Sequence, residues 1–211
     1  MMKKYTPRFL LTTIALMIAA PAPVPALQIT SKIDKVAAHM QKVTSMSASF
    51  TQTDRQGRSV SGRLLLKRPG HVRFEYQKDT PLLIVADGKA LTLVDYEVKQ
   101  VQRWPIKNSP LTALLDPGQD LRKYGKLLPT ENDDVINVAV ADPKRPEFGT
   151  MTLTFTKSAT APSGYALYGW TALDSKNNRT SVRLANVKYN VAVADSAFRW
   201  RDPRPVRRKG G

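Results

Sequence analysis

Alternation of apolar and charged side chains is the feature that most constrains this chain. In its clearest case, Val72, Phe74 and Tyr76 alternate with Arg73 and Glu75. A period of two places the two sets on opposite faces of a β-strand, one buried and one solvated. Similar patterns predict strands at 48–53, 59–67, 82–86, 90–96 and 98–104, and then at 135–140, 150–156, 168–173 and 181–187. The chain is therefore predicted to be mainly β, with an antiparallel meander in its first half.

Helices are predicted at two places. Apolar residues recur at steps of three and four through 29–43, which indicates one amphipathic helix with a buried face. The run Asn108-Ser109-Pro110 stops the strand pattern and leads into Leu111 and Leu114, because Ser109 can cap a short helix and proline suits its first turn. Asp87-Gly88 lies between apolar strands and predicts a tight hairpin. An antiparallel sheet this long should curl over a core, with the helices covering its concave face.

The first 26 residues have the three zones of a secretory signal. Basic residues at positions 3, 4 and 8 precede an uncharged apolar run at 9–20, and Val24-Pro25-Ala26 offers a small residue for cleavage. The apolar run falls short of the roughly 20 residues that span a bilayer, so a retained anchor is the less favoured alternative. The chain has no cysteine to lipidate or to form disulfides. We expect residues 1–26 to be removed and 27–211 to be released as one domain.

The formal net charge is +16, or about +13 once residues 1–26 are removed. Such a charge favours an anionic partner, which is nucleic acid, an anionic lipid surface or an acidic protein patch. Basic residues are interleaved with acidic ones through most of the chain and are dense only at 199–209. This distribution, together with export, makes nucleic acid the least favoured partner.

The residues give no indication of catalysis. Two histidines without cysteine argue against a zinc site: His39 is expected to be half-buried on the helix, and His71 to be exposed before a strand. The acidic residues at 131–134 lack the spacing of a calcium loop, and there is no glycine-rich phosphate loop. We therefore predict a protein that is not an enzyme and uses no metal or cofactor. Judged from the residue pattern only, the alternating apolar residues favour a filled core over a ligand cavity. On the same basis Arg68, which lies at a strand end, is expected to be a solvated surface residue.

A set of motifs is more specific than composition. The motifs are Phe50-Thr51-Gln52, the glycine-led strand from Gly62 that ends in Lys67-Arg68-Pro69, the aromatic strand Val72-Arg73-Phe74-Glu75-Tyr76, Asp87-Gly88, Asn108-Ser109-Pro110-Leu111, Gly169-Trp170, and a Phe198-Arg199-Trp200 strand followed by Pro203. Together they cover the whole of 27–211 and resemble the LolA family of outer-membrane lipoprotein carrier proteins. The tail at 201–211 departs from the family because it is basic and lacks a glycine-valine pattern.

The resemblance implies a fold and a function. The fold is mainly β (α+β), a single-domain, incomplete and strongly curved antiparallel β-barrel of about ten to eleven strands, with helices forming a lid over an apolar concave face. The function is that of a monomeric periplasmic chaperone for lipoprotein acyl chains. It takes lipoproteins from an inner-membrane ABC lipoprotein-releasing complex and delivers them to an outer-membrane lipoprotein receptor. Shielding is needed because each exposed methylene costs about 0.8 kcal/mol in water.

The resemblance also implies roles for individual residues. In the family, the arginine of the lysine-arginine-proline motif hydrogen-bonds the lid backbone in the empty state, so Arg68 is expected to be the lid latch. The candidates for the lipid-binding cavity and lid are Phe50, Leu64, Leu66, Phe74, Tyr76, Leu83, Leu91, Leu93, Trp104, Leu111 and Leu114. One alternative is a carrier or sensor of another lipid on the same fold, since fold does not fix function. A less favoured alternative is a cationic surface or nucleic-acid binder with a filled barrel.

Overall fold

The computed structural model describes residues 25–106, 111–116, 118, 120–141 and 146–205, with side chains from residue 32 onward except that of Phe148. Helix α1 (Pro25–Lys42) precedes the strands, and two short helices, α2 (Thr112–Leu115) and α3 (Leu121–Tyr124), divide them. The strands are β1 (Ser45–Thr53), β2 (Ser59–Lys67), β3 (His71–Tyr76), β4 (Leu82–Asp87), β5 (Ala90–Asp95), β6 (Gln100–Pro105), β7 (Gly125–Leu128), β8 (Val135–Ala141), β9 (Thr150–Lys157), β10 (Tyr165–Leu173) and β11 (Arg179–Tyr189). Single 3-10 turns occupy Pro146–Phe148, Pro162–Gly164 and Asp195–Phe198.

All eleven strands form one antiparallel sheet in the order β6-β5-β4-β3-β2-β1-β11-β10-β9-β8-β7. Two meanders, β1–β6 and β7–β11, are joined where β1 pairs with β11, and Phe50 lies opposite Leu184 in that pairing. The outermost strands, β6 and β7, do not pair with each other, so the barrel is open. The prediction of an incomplete antiparallel barrel is therefore confirmed.

The sheet is strongly curved. Phe74 on β3 and Trp170 on β10 are four strand intervals apart, which amounts to about 19 Å along a flat sheet. Their ring centroids are nevertheless only 6.0 Å apart. The two meanders therefore face each other across a concave side, as the two walls of a half-barrel.

Strand register assigns the side chains to the two faces. Leu64, Phe74, Ile84 and Leu93 lie opposite one another on successive strands and share the concave face. The intervening residues point to the convex face, where some, such as Arg63, are exposed and others, such as Leu83 and Val85, are buried. The alternation in 72–76 was therefore interpreted correctly, because Val72, Phe74 and Tyr76 are all buried in the main core.

Helix α1 covers part of the concave side. Val36, Met40 and Val43 are buried in the same apolar cluster as the inward residues of the sheet, at the spacing of one helix face. His39 is only 2% exposed, so the expectation of a half-buried residue is wrong. Its Nδ1 donates to Pro162 O at 3.0 Å, which joins α1 to the turn at Pro162–Gly164. Within the described ranges, no helix combines the length and hydropathy that a membrane span requires.

Other parts of the structure differ from the sequence predictions. Strand β7 and helix α3 were not predicted, because neither is long enough to show a period. The expected strand at 198–200 is absent: Phe198 ends a 3-10 turn and is buried on the convex face against Leu83, Val85 and Val94. This second apolar cluster, which we call the outer cluster, holds the C-terminal segment against the outside of the barrel. The predicted signal segment as far as residue 24, the helix start at 108–110 and residues 206–211 lie outside the described residues.

Candidate functional site

An apolar cavity of about 320 Å³ lies on the concave side, between the two meanders. Its apolar lining is Phe74, Ile84, Leu91, Leu111, Met151, Trp170, Ala172 and Val182, and its polar lining is Gln52, Thr150 and Thr180. The walls come from both halves of the sheet, and Leu111 belongs to the segment that leads into α2. The site is therefore a partly open space between the two walls of the curved sheet, and its apolar lining suits an apolar guest.

The Phe50-Thr51-Gln52 motif and the glycine of β2 build one wall of the core beside this cavity. The Phe50 ring meets Phe74 and Tyr76 edge-to-face, with centroids 5.3 and 5.2 Å apart. A Cβ atom at Gly62 would lie 2.7 Å from Cε1 of Phe50 and would collide with Glu75 O, so only glycine fits opposite Phe50. The ring of Phe50 therefore occupies the space that a side chain at Gly62 would need.

Gln52 completes this wall by accepting a hydrogen bond from the Tyr76 hydroxyl at 2.8 Å. Burial raises the pKa of Tyr76 to about 12, so its hydroxyl stays neutral and available as a donor. The bond satisfies a phenol that would otherwise be buried without a partner. The two hydrogen-bonded residues are among the few polar groups on the inner face.

Helix α2 and the residue before it form a small lid. Ala113, Leu114 and Leu115 are buried, and the backbone amide of Gly70 donates to Leu115 O at 2.9 Å. A helix of four residues has no stability of its own, because the cost of nucleation is spread over too few hydrogen bonds. The position of the lid therefore depends on the side chains and backbone groups that it contacts.

Arg68 supplies several of those contacts. Its Nε and Nη2 atoms donate to Leu114 O at 3.1 and 2.9 Å, and its Nη1 atom donates to Val43 O at 2.9 Å and to Met40 O. One guanidinium thus joins the lid to the end of α1. Burial lowers the pKa of Arg68 to about 10 despite the nearby Asp116 carboxylate, and the side chain is still cationic at neutral pH. Arg68 is thus partly buried, and the prediction of a solvated surface residue, made from the residue pattern only, is wrong.

The predicted cavity residues fall into different places. Phe74, Leu91 and Leu111 line the cavity. Phe50, Leu64, Leu66, Tyr76 and Leu114 belong to the core cluster around it. Register places Leu93 opposite Ile84, and Trp104 opposite Leu91, so both are on the concave face near the open edge, where Trp104 is 45% exposed.

Leu83 is the one candidate that was assigned to the wrong face. It points to the convex side and packs in the outer cluster with Phe198. The error has a physical cause, because residues 82–85 are all apolar and such a run does not reveal which residues face inward. The inward residue of this strand is Ile84, which lines the cavity.

The sequence prediction also missed one wall of the cavity. Met151, Trp170, Ala172 and Val182 come from β9, β10 and β11, whereas every candidate had been chosen from residues 50–114. The alternation of Met151, Leu153 and Phe155 was a signal that could have found part of this wall. Among the side chains that the structure describes, no group of three or more histidine, aspartate or glutamate residues could hold a metal ion.

The fold and the site define a class of protein, the lidded half-barrels with an apolar cavity on the concave side of an open antiparallel sheet. The family model described as outer membrane lipoprotein carrier protein LolA matches residues 41–201, and this chain belongs to the LolA family. An outer-membrane lipoprotein carrier protein from Chromobacterium violaceum is 29% identical over 212 residues, covering 97% of each chain. Another from Methylobacillus flagellatus is 30% identical over 177 residues, covering 80% of this chain and 83% of its own.

A solved structure supports the fold. A DUF1329 family protein from Desulfovibrio piger superposes with a TM-score of 0.51 at 9% identity, covering 81% of this chain and 97% of that one. At this identity the likeness is one of fold alone.

Proposed function

We propose that this protein is a periplasmic lipoprotein carrier that holds acyl chains in the concave cavity. The observation that carries the proposal is the apolar cavity between the two meanders, beside a lid that Arg68 and Gly70 hold in place. Membership of the LolA family and relatives named as outer-membrane lipoprotein carriers support it. In this proposal residues 1–26 are a cleaved signal peptide, and residues 27–211 are the working domain.

The lid must move when cargo binds. A cavity of about 320 Å³ is near the lower end of the range for small-molecule pockets, and a lipoprotein carries more than one acyl chain. Displacing the lid would add the space beneath Leu111 and Leu114 to the cavity. In this proposal, the arrangement in which Arg68 bonds to Leu114 O is the closed form of the carrier.

Arg68 is the proposed latch of that closed form. Releasing Leu114 O from two charge-assisted hydrogen bonds costs at most about 6 kcal/mol. Burying roughly eight methylene groups recovers that amount, and a single long acyl chain contains more. Burial of an acyl chain therefore offsets the loss of these two hydrogen bonds.

Two partners are proposed, one that loads the carrier and one that unloads it. An inner-membrane ABC complex would load the carrier, and an outer-membrane receptor would unload it by binding the same chains more tightly. In this scheme the carrier acts as a monomer and catalyses no reaction, because transfer requires only a difference in affinity between carrier and receptor.

The test is to incubate the purified protein with spheroplasts that are synthesising labelled lipoproteins. We expect outer-membrane lipoproteins to appear in the supernatant in a one-to-one complex with the protein. A known carrier run in parallel controls for the competence of the spheroplasts. If the known carrier releases lipoproteins and this protein releases none, the proposal is wrong, and a different lipid becomes the cargo to test.

A further inference from the structure

The convex face carries a groove that the cavity does not use. Its volume is about 420 Å³, and it is lined by residues of β11, β1, β2, β9 and β10. Gly169 lies in the groove, in register with Arg183 on one side and Thr154 on the other. A Cβ atom at Gly169 would collide with Val182 O, so the close approach of β10 and β11 keeps this position free of a side chain.

Hydroxyl groups line the groove. They belong to Thr51, Thr53, Ser59, Thr154, Thr171 and Ser181. The hydroxyls of Thr53 and Ser59 are 2.8 Å apart, and those of Thr171 and Ser181 are 3.2 Å apart. A hydroxyl has one donor and two acceptor sites, so each pair keeps capacity for a further partner. The groove therefore offers hydroxyl donors and acceptors to a polar guest.

Two arginines flank these hydroxyls. Arg179 and Arg183 are exposed residues on the same face of β11, and their positions four residues apart place their Cα atoms roughly 13 Å apart. Neither forms an ion pair with any residue that the structure describes. The carboxylates of the two adjoining turns are engaged elsewhere: Asp54 accepts from Arg58 Nε at 2.7 Å, and Asp174 accepts from Asn178 Nδ2 at 2.8 Å. The groove thus has two positive charges without a counter-charge.

We propose that this groove binds an extended acidic segment of a protein partner. Side chains on one side of an extended chain repeat every two residues, so carboxylates four residues apart match the spacing of Arg179 and Arg183. Each guanidinium can hold a carboxylate with two parallel hydrogen bonds. The polar atoms between the two carboxylates would meet the hydroxyls of the groove. Tyr168, which is 44% exposed, adds an aromatic wall.

The geometry favours a peptide over other anions. An extended acidic peptide can present one carboxylate to each arginine at the spacing of their Cα atoms, whereas a single small oxyanion offers only one anionic centre. A flat lipid surface can pair with the two exposed arginines but offers no extended chain of polar groups to the hydroxyls that line the groove. The proposal goes beyond lipoprotein carriage, because the groove and the cavity lie on opposite faces of the sheet. Trp170 and Val182 are the two residues that line both. A partner could therefore hold the carrier here without competing with the acyl chains.

The test uses the purified protein and a fluorescent nine-residue peptide in which aspartate alternates with threonine. We expect saturable binding that weakens at least tenfold in the double variant Arg179→Gln/Arg183→Gln. The matched control is Lys89→Gln/Lys99→Gln, which removes the same charge at exposed turns beside β5, five positions from β11 in the sheet order. The control should bind like the wild type.

Equal affinity of the wild type and the arginine variant would overturn the proposal, as would equal affinity for a peptide with asparagine in place of aspartate. Thermal unfolding of each variant shows that the fold is retained. Spheroplast release, measured in parallel, separates this proposal from the lipoprotein function. A protein that binds the peptide but releases no lipoprotein would contradict the function alone, and the opposite result would contradict the groove alone.

Discussion

Arg68 and Leu114 are joined by a forked contact in which two nitrogen atoms of one guanidinium donate to a single carbonyl oxygen, at 3.1 and 2.9 Å. The same side chain donates to Met40 O and Val43 O at the end of α1. The lid is thus held by a cation whose partners are all neutral backbone groups in these contacts. Such an arrangement holds the lid in place through backbone carbonyl groups.

Replacing Arg68 with leucine should slow the transfer of cargo. The lid would lose its bonds at Leu114, so the closed state that drives cargo out would be less stable, while the apolar cavity would still accept acyl chains. We expect normal formation of the lipoprotein complex and transfer to outer-membrane vesicles that is at least tenfold slower. The measurement is the rate at which a labelled lipoprotein moves from the carrier to vesicles.

Two further variants control for this effect. Arg68→Lys should be intermediate, because an ammonium group is a point donor that cannot reproduce the fork. Arg63→Leu removes an exposed arginine from the convex face of β2 and should transfer like the wild type. A transfer rate for Arg68→Leu equal to that for Arg63→Leu would rule out the latch.

His39 should make the protein less stable in acid. Burial lowers its pKa below the ordinary 6.5, and the positive charge of Arg68 acts in the same direction. The unfolded chain therefore binds a proton that the folded chain excludes, and the free energy of unfolding should fall as pH falls below about 6.5. The slope from one proton cannot exceed about 1.4 kcal/mol per pH unit. Urea unfolding across pH 4 to 8, at steps of about one unit, measures it.

The second histidine of the chain, His71, provides a matched control for this prediction. His39→Gln removes the titrating group and should flatten the slope, since a neutral amide can still donate toward Pro162 O. His71→Gln makes the same change at the start of β3, outside the packing between α1 and the sheet. An unchanged slope in His39→Gln would assign the acid sensitivity to other groups.

Phe198→Ala should destabilise the whole fold even though the residue packs on the outside of the barrel. Phe198 is buried among Leu83, Val85 and Val94, and removing a buried phenylalanine side chain costs about 3–5 kcal/mol. We expect about 3 kcal/mol, because the outer cluster is small. Trp104→Ala, at an exposed position, should cost less than about 1 kcal/mol. Equal shifts in the urea midpoint would mean that the outer cluster adds no stability.

Filling the cavity should reduce cargo binding without unfolding the protein. Ala172 lines the cavity from β10, so Ala172→Phe places a ring in the space proposed for acyl chains. We expect at least a tenfold weaker affinity for lipoprotein, measured by retention of the complex. Ala139→Phe, on the convex side of β8, is the control for the added ring and should leave affinity unchanged. Unchanged affinity in Ala172→Phe would place the acyl chains elsewhere.

The sequence predicted the sheet well where burial is one-sided. In β3 the apolar and charged residues alternate without a break, so both the strand and its inner face follow from period alone. In β4 the run 82–85 is apolar on both faces, because the outer cluster covers the side that is normally solvated. The pattern showed the strand there but could not show the face on which Leu83 lies.

The site was harder to predict, because its contacts join distant parts of the chain. Arg68 bonds to Met40 and Leu114, and no local pattern connects a residue after β2 with carbonyls of two helices. Only the family resemblance singled out this arginine. Trp170 was noted as part of a motif but not as a cavity residue, since its place opposite Phe74 depends on how far the sheet curves.

The pairing of β1 with β11 means that the two halves of the sheet cannot join until the last strand of the chain is available. As the chain emerges, β1–β6 can pair with their sequence neighbours, but the strand that pairs with the free edge of β1 is the last one made. Until it arrives, the inner face with Phe50 and Phe74 has no opposite wall, and exposed apolar strands of this kind are prone to aggregate. A carrier that shields the apolar chains of other proteins must therefore itself be shielded while it is being made.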